Sequence, residues 1–160
     1  MYAQYHGPLV RLLTRRTGDP AHAEDLVQEV FVRAMESPPT NPRPWLFAVA
    51  LNLARDGGRA SIRRERHISL LAGEYAGAAA PPPDEELERR ERAAMVRAAL
   101  ATLTETDRSA LLLKAEGLSY DEIASALGLA KGAIGTTLAR ARKRMVEAYR
   151  AQEGHDGSAP

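Results

Sequence analysis

LSYDEIASALGLAKGAIGTTLARAR, residues 118–142, sets two amphipathic stretches on either side of a glycine. Ser119, three residues before Glu122, has the spacing of a capping box that starts a helix, and Leu118, Ile123, Ala124 and Leu127 line its inner face. Gly128 closes that helix as a residue tolerant of the left-handed conformation. After the Leu129-Ala130 turn, Ile134, Leu138, Ala141 and Met145 recur at four, three and four residues, on one side of a longer second helix. The opposite side carries Gly132, Thr136, Ala139 and Lys143, flanked by Gly135, Arg140 and Arg144. Small residues near the helix start permit approach to base edges, while the later cations suit phosphates. This is the pattern of a helix-turn-helix that lays its second helix in a DNA major groove; the competing reading is an ordinary helical hairpin with a solvated basic face.

Upstream the period stays helical, and nothing alternates at period two for long enough to make a strand. Tyr2, Tyr5, Leu9, Leu12 and Leu13 form a first stripe, with Gly7-Pro8 expected to delay its regular start. Asp19 before Pro20 is a cap followed by proline at the first helical position, opening a helix to about Glu36. Ser37 to Pro42 breaks it. A third helix is expected from about Pro44, with Trp45, Leu46, Val49, Leu53 and Ile62 facing inward. From His67 to Pro83 the chain becomes Ala, Gly and Pro, as a tether does, stiffened locally by Pro81 to Pro83. Helix resumes at Asp84 to about Leu103, and Thr104-x-x-Asp107 opens another to about Glu116, closed by Gly117. A length of 160 residues suits one ordinary domain or two small ones, and the unlike halves favour two. The expected fold is all-α: helical domains over 1–66 and 92–150, a flexible Pro/Ala-rich linker with the start of the following helix over 67–91, and a disordered tail over 151–160.

The net charge of +1 conceals an uneven distribution. Arginines gather in Arg55–Arg66 and Arg140–Arg150, whereas Glu74–Glu91 holds Asp84, Glu85, Glu86 and Glu88, solvated on a helix start. Two basic patches joined by an acidic strap suggest two contacts with a polyanion. With no cysteine there is no disulfide, thiol nucleophile or thiolate metal site. His6, His22, His67 and His155 lack ligand spacing and read as surface residues. No apolar run approaches the roughly 20 residues that span a bilayer, and the N-terminus lacks a signal-peptide pattern, so the expectation is a cytoplasmic protein without membrane insertion. No Gly-rich phosphate loop, metal cluster or nucleophile beside a base points to an enzyme, and no cofactor is expected.

In the first half, Ala23–Phe31 (AEDLVQEVF) puts Leu26, Val27, Val30 and Phe31 near one face and Glu24, Asp25, Gln28 and Glu29 around the rest. Read alone, this is a helix whose early acidic residues favour the macrodipole. In order with WLFAVALNLARDGGR (Trp45–Arg59), the Pro/Ala linker, LTETDRSALLLKAEGLSYDEIASALG and the basic helix, it resembles the bacterial sigma-70 superfamily, specifically the two-domain extracytoplasmic-function sigma factors. The resemblance covers roughly residues 2–150. It implies that the first domain docks on the clamp helices of the largest RNA polymerase subunit through Asp25, Gln28, Glu29 and Phe31. It further implies that the third helix helps open the -10 promoter element, with Asn52, Arg55, Asp56 and Arg59 at the polar positions. Trp45 is either a stacking platform for a base or a core anchor after the Pro-rich turn. The second domain is implied to bind the polymerase flap and read the -35 element through Gly135, Thr136, Thr137 and Arg140, with Lys131, Arg142, Lys143 and Arg144 nearby. An anti-sigma partner covering both domains is implied as well.

The chain departs from the family pattern where relatives usually carry basic residues, at Gly135 and Thr137. Each good bidentate pair is worth about 1–3 kcal/mol of base discrimination, so -35 reading is expected to be weaker or altered. Threonine methyls suit thymine and point to an A·T-rich preference. Gly57-Gly58 marks either a kink or end of the third helix, or a close approach of backbone to DNA. Two competing functions remain: a sigma-like mimic or adaptor for regulatory proteins, and an autonomous helix-turn-helix regulator, which leaves Ala23–Phe31 unexplained.

Overall fold

Every helix start that the sequence marks with a cap carries one in the computed structural model, which describes residues 2–72 and 83–156, with 58–72 and 155–156 by backbone alone. Asp19 accepts the backbone N–H of Ala21 at 3.0 Å and of His22 at 3.3 Å, and Pro20 occupies the first helical position. Three helices make the first half: α1 (Tyr2–Thr17), α2 (Pro20–Glu36) and α3 (Pro42–Ala72). Leu9, Leu12 and Leu13 of α1 meet Val27, Val30 and Ala34 of α2 and Leu46, Phe47 and Ala50 of α3, all buried. The second half holds α4 (Asp84–Ala101), α5 (Glu105–Ala115), α6 (Tyr120–Leu127), a 3-10 turn at Lys131–Ala133 and α7 (Ile134–Asp156). No strand occurs among the described residues, so the fold is all-α.

Four expectations are revised. Gly7-Pro8 does not delay α1, which runs from Tyr2 through Pro8. The proline removes one backbone donor, but three fully buried leucines follow and the Tyr2 ring packs 4.6 Å from that of Phe31, enough to hold the turn in place. The inner face of α3 is Leu46, Phe47, Ala50, Leu51 and Ala54; Trp45, Val49 and Leu53 are only half-buried, because α1 and α2 approach from a different side than the apolar stripe suggests. The helix runs on through Gly57-Gly58 to Ala72 rather than ending there, while Ile62 and most of the expected tether lie outside the residues whose side chains are described. At the other end α7 continues to Asp156, anchored by Gln152, whose side-chain amide donates to the Met95 carbonyl of α4 at 3.1 Å.

The two halves share one continuous buried cluster, with α3 against α6 and α1 against α5. Around it the first half offers arginines and the second half glutamates. Arg11 and Arg15 reach the two carboxylate oxygens of Glu116 at 3.2 and 3.0 Å, and the Glu116 side chain is 4% exposed. Arg43 donates to the Glu116 carbonyl at 3.3 Å and lies 3.5 Å from Glu122. Arg16 joins Arg108 on Glu105, at 3.2 Å for Arg16. Burial pushes the Glu105 carboxyl upward, but hydrogen bonds and charge from Arg108 and Arg16 outweigh it and hold the group below its ordinary value.

Candidate nucleic-acid interface

The helix-turn-helix is built from local signals. The Ser119 hydroxyl accepts the Glu122 backbone N–H at 3.2 Å, and the Glu122 carboxylate accepts that of Ser119 at 2.9 Å, completing the capping box of α6. Gly128 turns the chain at φ 66°, a conformation that side-chain-bearing residues resist. Ile134, Leu138 and Ala141 are fully buried against α5 and α6, which fixes the rotation of α7 about its axis. Lys131, Gly135, Thr136, Arg140, Arg142, Lys143 and Arg144 are therefore all exposed, as a reading face requires.

Thr137 does not join them. It is buried, and its hydroxyl donates back to the Ala133 carbonyl at 2.8 Å, so its hydrogen-bonding capacity is used within the helix. Gly135 does face solvent, and a side chain there would meet the Tyr120 ring at an ordinary 3.8 Å, so nothing in the packing demands glycine. Lys131 is paired with Asp121 at 3.0 Å, both well exposed. Arg140 and Arg144 converge on Asp107 of α5, which is completely buried. Arg140 grips it through Nε at 3.2 Å and Nη2 at 2.7 Å, and Arg144 adds Nη1 at 3.3 Å.

The Arg140 hydrogen bond, against the opposing effect of burial, holds the Asp107 carboxyl below its ordinary 3.8. A carboxyl depressed by folding stabilises the protein fully above its unfolded value, and that stability is lost as pH falls through the lower folded value. Denaturant midpoints should accordingly be steady at neutral pH and decline below about pH 4, and Asp107→Asn should remove part of that decline. Identical acid slopes in the two proteins would show that the pair carries none of the pH dependence.

On α3, Asn52, Arg55 and Asp56 are exposed and linked, Arg55 donating to the Asn52 side-chain oxygen at 3.4 Å and lying 3.9 Å from Asp56. Arg59 lies outside the residues whose side chains are described. Trp45 packs against the core on one side and on the other opens to a cavity of about 250 Å³ shared with Pro39, Thr40, Asn41 and, from α6, Ser125. A second cavity of about 120 Å³ sets Asn52 and Arg55 opposite Glu105, Thr106 and Ser109 of α5 and Leu127 of α6. The polar face of α3 is thus opposed by the second half of the chain.

On α2, Asp25, Gln28 and Glu29 are exposed, but Phe31 is buried beneath Tyr2. What lies beside Gln28 is apolar: Val32 and the 72%-exposed Met35, which with Tyr2 and Phe31 line an open groove of about 390 Å³. Sequence reasoning missed these residues, although their spacing of four and seven from Gln28 places them on the polar face of α2. Exposed apolar side chains clustered in a groove with a charged rim are the usual form of a protein-docking site.

Among the described residues no group of three or more His, Asp or Glu side chains could hold a metal ion, and no helix is long and apolar enough to cross a membrane. The family model for Sigma-70 region 2 matches residues 1–67 and that for Sigma-70, region 4 matches residues 93–145. The chain is 35% identical over 137 residues to the ECF RNA polymerase sigma factor EcfG of Rhodopseudomonas palustris, covering 81% of this chain and 72% of that protein. In fold it is similar to CnrH, solved in complex with the cytosolic domain of CnrY, at a TM-score of 0.67 and 24% identity over 94% of this chain and 85% of that one. It is also similar to the sigma factor RpoE of Bartonella quintana, solved with the anti-sigma factor NepR, at a TM-score of 0.58 and 24% identity over 93% of this chain and 94% of that one.

Proposed function

The chain belongs to the extracytoplasmic-function group of the sigma-70 family, and from that premise we propose that it directs RNA polymerase core to promoters in the cytoplasm, reading two promoter elements and assisting melting at one without bond chemistry of its own. The observation that carries this reading is α7, a helix whose rotation is fixed by its buried side so that its cations all face outward. Residues 92–150 act as the -35 domain and bind the flap. Residues 1–66 act as the core-binding and -10 domain, docking on the clamp helices through the α2 face and holding unpaired bases at Asn52, Arg55, Asp56 and Arg59, with Trp45 at the edge of the pocket. Two modest binding surfaces joined by a tether gain effective concentration, so the assembled enzyme binds promoters far better than the free chain does.

The α7 face is sparser than the family resemblance implies, with Gly135 bare and Thr137 turned inward. Phosphate binding by Lys131, Arg140, Arg142, Lys143 and Arg144 therefore supplies most of the -35 affinity, and Thr136 is left as the side chain facing the bases. An anti-sigma partner is part of the proposal, since a protein that covers the α2 groove or holds the halves together would block polymerase and promoter at once.

Transcription by purified polymerase core with this chain, on a supercoiled promoter library, tests the reading. Specific initiation that is lost when either promoter element is scrambled is the expected result. Core binding without any transcript would replace it with a mimic or adaptor, and tight operator binding by the free chain with an autonomous regulator.

A further inference from the structure

We propose that Asp107 is a positioning residue for promoter binding: its buried carboxylate holds the guanidinium groups of Arg140 and Arg144 as clamps for backbone phosphate on the flank of α7. The proposal rests on the reading of α7 as a promoter-binding helix, and it assigns a role to a residue of another helix, 33 positions away from its partner in sequence.

The geometry supplies the argument. Arg140 presents its Nε–Nη2 edge to both oxygens of Asp107, at 3.2 and 2.7 Å. A guanidinium carries five N–H donors in one plane, so a two-point grip along one edge fixes the direction of the others. The Arg140 side chain remains 46% exposed and that of Arg144 51% exposed, so their unused donors open to solvent. Both arginines flank the strip Gly132, Thr136, Ala139 and Lys143, and Asp107 draws their heads toward α5 rather than out over that strip. A cation held on the flank of a helix in a major groove meets the groove wall, which is phosphate, and not the base edges on its floor. Asp107 is itself firmly placed, with its backbone N–H donated at 3.2 Å to the Thr104 hydroxyl that caps α5. Arginines ordered in advance give up less rotamer freedom on binding, so the tie favours association even though it neutralises one of two charges.

The experiment uses the full chain assembled with polymerase core, and measures promoter affinity on a series of -35 variants at several salt concentrations, with thermal midpoints in parallel. Asp107→Asn keeps the shape and removes the charge; Arg140→Lys keeps the charge, removes the fork and leaves α5 untouched, so it remains informative if the first variant folds poorly. Each should weaken binding roughly tenfold, by the same factor on every -35 sequence. The salt slope should flatten by about 0.9 for each phosphate that is no longer neutralised. On a background of Arg140→Ala with Arg144→Ala, which removes both groups that Asp107 holds, Asp107→Asn should add little further effect. A lowered thermal midpoint with unchanged affinity and slope would reduce Asp107 to a structural ion pair, and a loss of affinity that depends on the -35 base would make Arg140 a base reader. Either result leaves the promoter function standing, whereas a wild-type enzyme indifferent to the -35 element would overturn the function and the proposal together.

Discussion

Met35→Glu, combined with Val32→Glu, is expected to weaken assembly with polymerase core by one to two orders of magnitude while leaving the fold intact. Both side chains stand on the outer face of α2, with Met35 72% and Val32 40% exposed, so neither supports the core and the substitutions cost little stability. Their groove, with Tyr2 and Phe31, is the apolar centre of the docking face proposed above, and central apolar anchors carry most of the energy of a protein interface. A carboxylate there must be dehydrated on docking with no partner to compensate, a penalty of about 2 kcal/mol or more. Glu29→Ala is the contrast. Glu29 pairs with Arg33 at 3.1 Å, both about half-exposed, and such surface pairs contribute roughly 0–1 kcal/mol. Titration of labelled core with the two variants decides the matter. If Glu29→Ala abolished assembly and the Met35 variant bound normally, recognition would run through the acidic rim instead of the groove.

What the sequence made legible was local. Asp19, Thr104, Ser119 and Gly128 act within three or four residues of themselves, so their caps and turns follow from spacing alone. The inner side of α7 follows from its period, and that same period places Thr137 inside, at three from Ile134 and four from Ala141. The family resemblance assigned Thr137 to the reading face, and here the periodicity was the better guide. Pairings between distant helices leave no such trace. Nothing in the order of residues couples Asp107 to Arg140, or Glu116 to Arg11 and Arg15 more than 100 positions away. The revised face of α3 has the same origin, because an apolar stripe records only that one side is buried and not how far neighbouring helices wrap around it. Val32 and Met35 were passed over for a related reason: a buried and a docking apolar residue have the same composition and differ only in what covers them.

The second large effect concerns the junction between the halves. Glu116→Arg is expected to separate them. In the native arrangement the Glu116 side chain is enclosed by Arg11 and Arg15, while Arg43 binds the carbonyl of the same residue. Reversal sets a third cation against Arg11 and Arg15, which the Glu116 carboxylate had paired, with Arg43 close by. Two unit charges at 4 Å interact by about 4 kcal/mol at an effective dielectric constant of 20, reduced here because Arg11 and Arg15 are about half-exposed and can swing into water. A net cost of about 2 kcal/mol is left, enough to shift a closed arrangement roughly 30-fold toward an open one. The chain has no cysteine, so single labels at Gln4→Cys and Ala151→Cys report the distance between halves without background. Energy transfer should fall in the Glu116→Arg protein, and added salt should lower it in the wild type, less steeply because the pair is shielded from solvent. The functional consequence follows from where α3 points. Asn52 and Arg55 are exposed but line one wall of a narrow cavity against α5 and α6, so an open chain gives single-stranded DNA fuller access to them than a closed one. Free Glu116→Arg protein should therefore bind a -10 non-template strand more tightly than free wild type. Equal transfer efficiencies at equal stability would mean that apolar packing alone holds the halves together and that the arginine and glutamate pairs merely decorate its edge.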